Sequence, residues 1–357
     1  MADPVAAPVL LSSGRPASDR LPGVAAAAHD LIGADVRAAV AWGAELGAWV
    51  PDPGSGRTLL RWEVLASVAA QDLTVARAVE PHLDAIAILH EHGDPTPTGS
   101  TWGVYAAEGP PPRLEAVGAT HSTDGGWVLS GRKPWCSLAG VVSHALVTAW
   151  VEPTRRGLFA VDLRAPGIVV EDGVWAPRGL TAITSTALLV DDVPARAVGG
   201  PGWYLERPGF AWGGIGVAAV WYGGAVGVAR RLLGAAQRRE PDQVGLMHLG
   251  VVDTALTSAR AVLREAAAVV GAGDVTGAAA ALLAGRVRNV VAAAAETVLT
   301  EVGHALGPAP LSQESDHAAR VADLTLYLRQ HHATRDAAAS GRLVVQALGD
   351  GTGVLPW

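Results

Sequence analysis

The chain has 357 residues, half of them hydrophobic and 17% charged, with a formal net charge of −7. This length and composition exclude a disordered chain and fit two or three compact units. The acidic balance, with no Lys/Arg run interleaved with aromatics, removes the electrostatic drive for nucleic-acid binding.

The N-terminal stretch MADPVAAPVLLSSGRPASDR has no basic run before its short apolar segment, so no signal peptide is expected. Residues 24–46 are Ala-rich with a helical apolar period, and the breaker-rich PDPGSGR (51–57) follows. Residues 59–93 predict two or three more helical stretches, ending at Gly93 before DPTPTGS. Within them, His90-Glu91-His92 cannot bind one metal, because alternate helix positions point apart. No metal is expected. The lone cysteine, Cys136, excludes an intrachain disulfide and fits a reducing, cytoplasmic setting.

From about residue 100 to 197 the texture changes to short β-type runs. TWGVYAAE, RLEAVGATHS, GGWVLSGRK, SHALVTAWV, RGLFAVDL, GIVVEDGVWA and STALLVDDV are separated by Gly, Pro and Asp turns. This pattern predicts an antiparallel sandwich or barrel, not alternating β-α-β units. Helical texture returns from about residue 203. Residues 208–229 carry no charge, enough to span a bilayer by length, but seven glycines fit a buried helix packed closely on its neighbours. A membrane protein is therefore not the expected class. Gly214-Ile215-Gly216-Val217-Ala218-Ala219 matches a GxGxxA string. No strand precedes it and no acidic residue follows at the right distance, so helix packing is its expected role. Val287, Val291, Ala294, Val298 and Val302 form one helical stripe, and 256–271 and 317–349 supply further helices. The fold class is α+β: an N-terminal helical domain (1–98), a central antiparallel β domain (99–197) and a C-terminal helical bundle (198–357).

Trp135 and Ser137 stand two residues apart at the end of a predicted strand. On spacing alone they fit a sheet-capping indole and a turn serine as well as a ligand-facing pair. The flanking residues add more. The hairpin Gly126-Trp127-Val128-Leu129-Ser130-Gly131-Arg132-Lys133 leads to Trp135 and Ser137. Asp191-Asp192-Val193-Pro194 is followed by Gly199-Gly200-Pro201-Gly202, and RVADLTLYLRQHHATRD lies near the C-terminus. With the order of helices, strands and helices, these residues resemble the acyl-CoA dehydrogenase superfamily of flavoproteins.

The resemblance implies an FAD cofactor, with Trp135 against the isoalloxazine ring and Ser137 at its N5/O4 edge. It implies a second wall from the strand carrying Tyr105 and Ala107, where the family has a Thr-Glu-Pro turn followed by Gly-Ser-Asp. Here Glu108 matches, Ala107 replaces the Thr, and Pro110-Pro111-Pro112-Arg113 replaces the Gly-Ser-Asp. Gly307 falls in the family's loop for the FAD adenine of a neighbouring subunit, and Arg238 and Arg239 fall near its diphosphate-binding loop. The family's catalytic Glu position lands on His331, and no Glu or Asp lies between Asp323 and Asp336. A monooxygenase branch of the superfamily resembles this chain in having His there. Imidazole accepts or donates a proton near neutral pH.

The resemblance thus implies an FAD-dependent oxidoreductase, with α,β-dehydrogenation of an acyl thioester as the family's usual reaction. Two alternatives stand beside it. One is a flavin-dependent monooxygenase using His331 in place of the Glu. The other is a non-catalytic homologue serving as scaffold or partner subunit. Expected partners are a small-molecule or acyl-thioester substrate and, as electron acceptor, a flavoprotein or O2. The expected assembly is a homodimer or homotetramer.

Overall fold

The computed structural model describes residues 7–12, 14–118, 126–273 and 275–349. Four helices come first: α1 (Leu21–Asp30), α2 (Val36–Gly47), α3 (Thr58–Gln71) and α4 (Leu73–His92). The stretch 24–46 is therefore two helices, broken where Gly33 takes φ +73°. Asp35 caps α2 by accepting from Arg37 N at 2.9 Å, and Asp72 caps α4 by accepting from Val75 N at 2.9 Å. α3 is buried on every side, as expected of a core helix with no polar face.

Seven strands follow: β1 (Trp102–Tyr105), β2 (Glu115–Gly118), β3 (Trp127–Lys133), β4 (His144–Trp150), β5 (Arg156–Asp162), β6 (Ile168–Val170) and β7 (Leu188–Ala197). The pairing β4-β2-β3-β7-β5 closes back on β4, with β1 and β6 added to β4 and β7. The antiparallel expectation is corrected in part. β1 pairs β4 in parallel, and so does β2 at one residue pair, Glu115 with Trp150. The β2–β3 pair intervenes between β1 and β4, giving the long connection that parallel pairing needs. Residues 119–125, the turn of the expected hairpin, lie outside the described residues. β3 changes register between Leu129 and Gly131. A Cβ on Gly131 would stand 2.2 Å from Arg113 O, so this position requires glycine.

The remaining helices are α5 (Trp203–Glu206), α6 (Pro208–Arg238), α7 (Gln243–Ala272), α8 (Gly277–Leu306), α9 (Ala309–Gln313), α10 (Ser315–Tyr327) and α11 (Thr334–Gly349). α6 and α8 are each long and apolar enough to cross a membrane. In α6, 72% of that apolar window is buried inside the protein, and its glycines meet α3 at backbone distance. A Cβ on Gly223 would stand 2.2 Å from Ala66 O. The expected helix over 317–349 is interrupted. α10 ends at Tyr327, a tight turn covers Leu328–Gln330, and His331 is extended (φ −87°, ψ 118°). One apolar cluster joins α1–α4 to α6–α8 and α10, a second fills the sheet, and a third seats α4 on β1, β4 and β5.

Candidate functional site

The sheet side of the site begins at Lys133, the last residue of β3. Its ammonium is 1% exposed and donates to Glu108 Oε1 at 2.8 Å and Thr148 Oγ1 at 2.7 Å. Glu108 also accepts from Arg156 Nη1 at 2.9 Å and Trp150 Nε1 at 3.0 Å. Burial works to raise the Glu108 carboxyl, but its bonds from Lys133, Arg156 and Trp150 outweigh that and hold it below the ordinary value. This bond ties the segment after β1 to the end of β3. A Cβ on Gly109 would touch Pro134 at 3.1 Å. Ala107, exposed, therefore lies on the segment that runs beside Pro134 and Trp135.

Trp135 takes φ +61°, and its side chain leaves the residue 61% exposed. A bulky residue in the left-handed region is an outlier, held here by its neighbours. Cys136 N donates to Thr186 O and Leu138 N to Thr184 O, both at 2.8 Å. Cys136 itself is buried and its thiol is pushed up to about 12 by burial, so it is not a nucleophile. Ser137 Oγ lies 2.7 Å from Ser185 Oγ and accepts from Arg77 Nη2 at 3.3 Å. Tyr105 donates its hydroxyl to Ser137 O at 2.9 Å and is 2% exposed. Tyr105 thus supports Ser137 from behind and presents almost no surface.

Arg77 carries the site into the helices. It pairs with Glu80 at 3.0 Å, and its guanidinium lies over the Tyr327 ring at 5.1 Å. Tyr327 meets Trp221 edge-on at 6.3 Å, and Trp221 meets His331 edge-on at 6.1 Å. Arg288 lies over Trp221 at 4.6 Å. His331 Nε2 donates to Asn289 Oδ1 at 2.8 Å, with Asp336 at 3.8 Å behind it. That tautomer leaves Nδ1 as an acceptor. Burial lowers His331 below the ordinary imidazole value, so the ring is neutral at neutral pH. Leu180 N donates to Asp323 Oδ1 at 2.6 Å, pinning α10 to the segment that precedes β7.

The structure thus gathers Ala107, Trp135, Ser137 and Tyr105 at one end of the sheet and links Ser137 through Arg77, Tyr327 and Trp221 to His331. It does not bring Gly307 there. Gly307 ends α8 with φ +67°, roughly 27 Å along that helix from Asn289. Arg77, Trp221, Asn289 and Arg288 were not anticipated. Arg77 and Asn289 had a signal, being polar residues inside apolar helical runs. Trp221, 0% exposed, keeps its indole N–H without a partner among the described residues. An exposed indole at Trp135 beside the Ser137 hydroxyl offers a face and a polar edge of the kind a planar cofactor uses.

No protein-family model matches the chain. The putative acyl-CoA dehydrogenase YdbM of Bacillus subtilis (strain 168) is 31% identical over 77 residues. The amino sugar nitrososynthase DnmZ of Streptomyces peucetius is 33% identical over 79 residues. Each match covers 21% of this chain, and 20% and 19% of those relatives, so the chain matches about a fifth of their length. Solved structures match over nearly the whole chain. KijD3 in complex with dTDP superposes with a TM-score of 0.74 at 21% identity, covering 97% of this chain and 99% of that one. TdsC from Paenibacillus sp. A11-2 with FMN and indole gives 0.74 at 15% identity, covering 91% and 96%. Butyryl-CoA dehydrogenase from Megasphaera elsdenii gives 0.66 at 18% identity, covering 84% of each chain.

Proposed function

We propose that this chain, which has the fold of the acyl-CoA dehydrogenase superfamily, is a flavin-dependent monooxygenase acting on a small molecule. The observation that carries this reading is the state of His331. It is a neutral imidazole, fixed by Asn289 through Nε2, at the end of the wall that leads to Ser137. The carboxylates on that wall have other partners: Glu80 holds Arg77, and Asp336 lies behind His331 and His332. Proton abstraction from a thioester Cα by a carboxylate therefore has no obvious agent, whereas an imidazole with a free Nδ1 can hold or give one proton. The similarity to TdsC, solved with FMN and indole, and to KijD3, solved with FMN and a dTDP amino sugar, supports the same reading.

Trp135 would hold the flavin through its exposed indole, and Ser137 through its hydroxyl. When bound, the flavin supplies two-electron transfer and, once reduced, reactivity with oxygen. Arg77 donates to Ser137 Oγ, and Ser185 Oγ, which itself donates to Ile183 O, accepts the Ser137 O–H, so Ser137 would turn its O–H from Ser185 to the ligand on binding. His331 Nδ1 takes or returns the proton that the reaction displaces. The three segments 1–98, 99–197 and 198–357 serve as domains of this enzyme, assembled as a homo-oligomer.

The test is to load purified protein with excess flavin, remove the free flavin by gel filtration, and identify the retained species as FAD or FMN by mass. Butyryl-CoA and octanoyl-CoA are then added without oxygen, and the reduced protein is separately mixed with air. Retained flavin, no bleaching by either thioester and rapid reoxidation that His331→Gln alters are the expected results. Anaerobic bleaching by a thioester would restore the dehydrogenase reading, and a protein that retains no flavin would favour the scaffold.

A further inference from the structure

Arg288 follows Val287, a buried member of the apolar stripe that α8 lays on α6. A cation beside such a stripe is costly unless its donors are used. Its two hydrogen bonds among the described residues go to backbone carbonyls. Nη1 donates to Gly214 O at 2.9 Å and Nη2 to Gln330 O at 3.3 Å. The plane of the guanidinium lies over the Trp221 ring at 4.6 Å. Gly214 and Trp221 are seven residues apart, two turns along one face of α6. One arm and the flat face of Arg288 are therefore held on α6, while the other arm reaches the turn after α10.

That second arm ends on the carbonyl bonded to the nitrogen of His331. His331 has no helix to fix it. Its backbone is extended, and its N–H donates to Leu328 O at 2.9 Å. Its ring is held by Asn289 at 2.8 Å, and Asn289 in turn donates to Ser340 Oγ of α11 at 3.3 Å. Successive residues of α8 thus grip the peptide before the imidazole and the imidazole itself. A lysine at 288 would have neither the second arm nor the planar face.

We propose that Arg288 is a positioning residue for His331: it fixes the Gln330–His331 peptide against α6, so that the imidazole held by Asn289 keeps one orientation. This role rests on the proton chemistry assigned to His331, but the geometry can be read without flavin. The charge of Arg288 acts on the ring as well. His331 faces Asp336 and His332 from its own segment, and Arg288 and Glu296 from α8, with Glu296 paired to Arg329. Burial is the main cause of its lowered value; Asp336 opposes that and Arg288 adds to it. Removing the guanidinium should let the imidazole take its proton at higher pH.

The experiment follows the His331 ring by NMR titration of the flavin-free full chain, and reoxidation by air of the reduced, flavin-loaded protein. Arg288→Ala, Arg288→Lys and His331→Gln are compared, and the signal absent from His331→Gln identifies the ring. Arg288→Ala should shift the His331 titration upward and slow reoxidation roughly tenfold, the worth of about one hydrogen bond. Added guanidinium ion should restore much of that rate. Arg288→Lys keeps the charge and loses the fork, so its titration should stay near that of the wild type while reoxidation is still slowed. A wild-type titration in Arg288→Ala would overturn the proposal. So would a loss of rate that guanidinium does not restore, or wild-type reoxidation in Arg288→Lys, because charge alone would then suffice. Reoxidation indifferent to His331→Gln would instead remove the proton role of His331, and the titration would still decide whether Arg288 acts on the ring.

Discussion

The two walls of the candidate site are built in different ways. The sheet wall presents two short stretches, 105–109 and 131–137, held by a part-buried Lys133–Glu108 bond, Gly131 at a register shift, and Trp135 at φ +61° beside backbone bonds to Thr184 O and Thr186 O. The helical wall takes Arg77 from α4, Trp221 from α6, Arg288 and Asn289 from α8, and His331 from the break after α10. Its parts are spread over some two-thirds of the sequence and meet only through tertiary packing. The sheet wall should therefore fail by losing one local bond, and the helical wall by losing chemistry while the fold survives.

The largest expected effect on stability tests the first half of that contrast. Lys133→Met removes a cation that is 1% exposed and leaves Glu108 with Arg156 as its ionic partner among the described residues. The pair is buried only on the lysine side, with Glu108 29% exposed and still bonded to Arg156 and Trp150, so the loss is roughly 1–2 kcal/mol, below that of a fully buried pair. Urea unfolding should show a loss of that order together with loss of flavin retention. A variant of unchanged stability would mean that the sheet wall does not depend on this bond.

His331→Gln tests the second half. Stability and flavin retention should be unchanged, while turnover falls about a hundredfold, the usual scale for a lost acid–base group. The wild-type pH profile carries a sign. Burial keeps His331 below the ordinary value of about 6.5, so activity should be flat above that pH and fall only below it. A profile that rises through pH 7 would contradict a neutral, buried imidazole.

The same contrast explains what could be read from sequence. Strand runs and turn residues were legible because local chemistry defines them, whereas Trp135 and Ser137 were singled out only by the family resemblance, spacing alone leaving a sheet cap open. The helical period of α6 and α8 was legible too, and so was the packing role of the glycines in α6. The parallel pairing of β1 with β4 was not, since it depends on how a hairpin is placed between two strands. Nor was the break after Tyr327: residues 317–349 keep a helical composition, and it is the tertiary setting that leaves His331 extended. Arg77 reads as one charge in a long apolar run. Only the structure shows that it reaches Ser137, 60 positions away.

Glu80→Gln probes the contact between the walls. Glu80 is buried against Arg77, with Arg61 and Asp84 nearby, and burial pushes its carboxyl up to about 7. An acid whose folded value exceeds its unfolded one takes up its proton first in the folded state. Stability then rises as pH falls from about 7 toward the ordinary carboxylate range. The amide cannot titrate, so the variant should lose this part of the slope. Asp323, raised to about 6 mainly by burial, contributes in the same direction and remains. Urea midpoints at pH 5 and pH 8 measure both, and an unchanged slope would mean that Glu80 stays ionised beside Arg77.

The smallest effect is the most informative about the sheet wall. Trp135 combines a left-handed backbone with an indole left 61% exposed. A non-glycine residue in that region costs about 1–2 kcal/mol, and an exposed side chain recovers little of it by packing. Trp135→Gly relieves the strain at the cost of a more flexible unfolded chain, worth about 0.4–1 kcal/mol. The variant should therefore be as stable as the wild type or up to about 1 kcal/mol more so. If the strain exists to present an aromatic face, flavin affinity should fall about tenfold in the same variant, in line with the worth of an aromatic contact, while Trp135→Phe keeps both strain and affinity. Stability and affinity moving in opposite directions would mark Trp135 as a residue retained for its ligand. A fall in stability with unchanged flavin binding would instead make the indole a cap on the sheet and move the cofactor elsewhere.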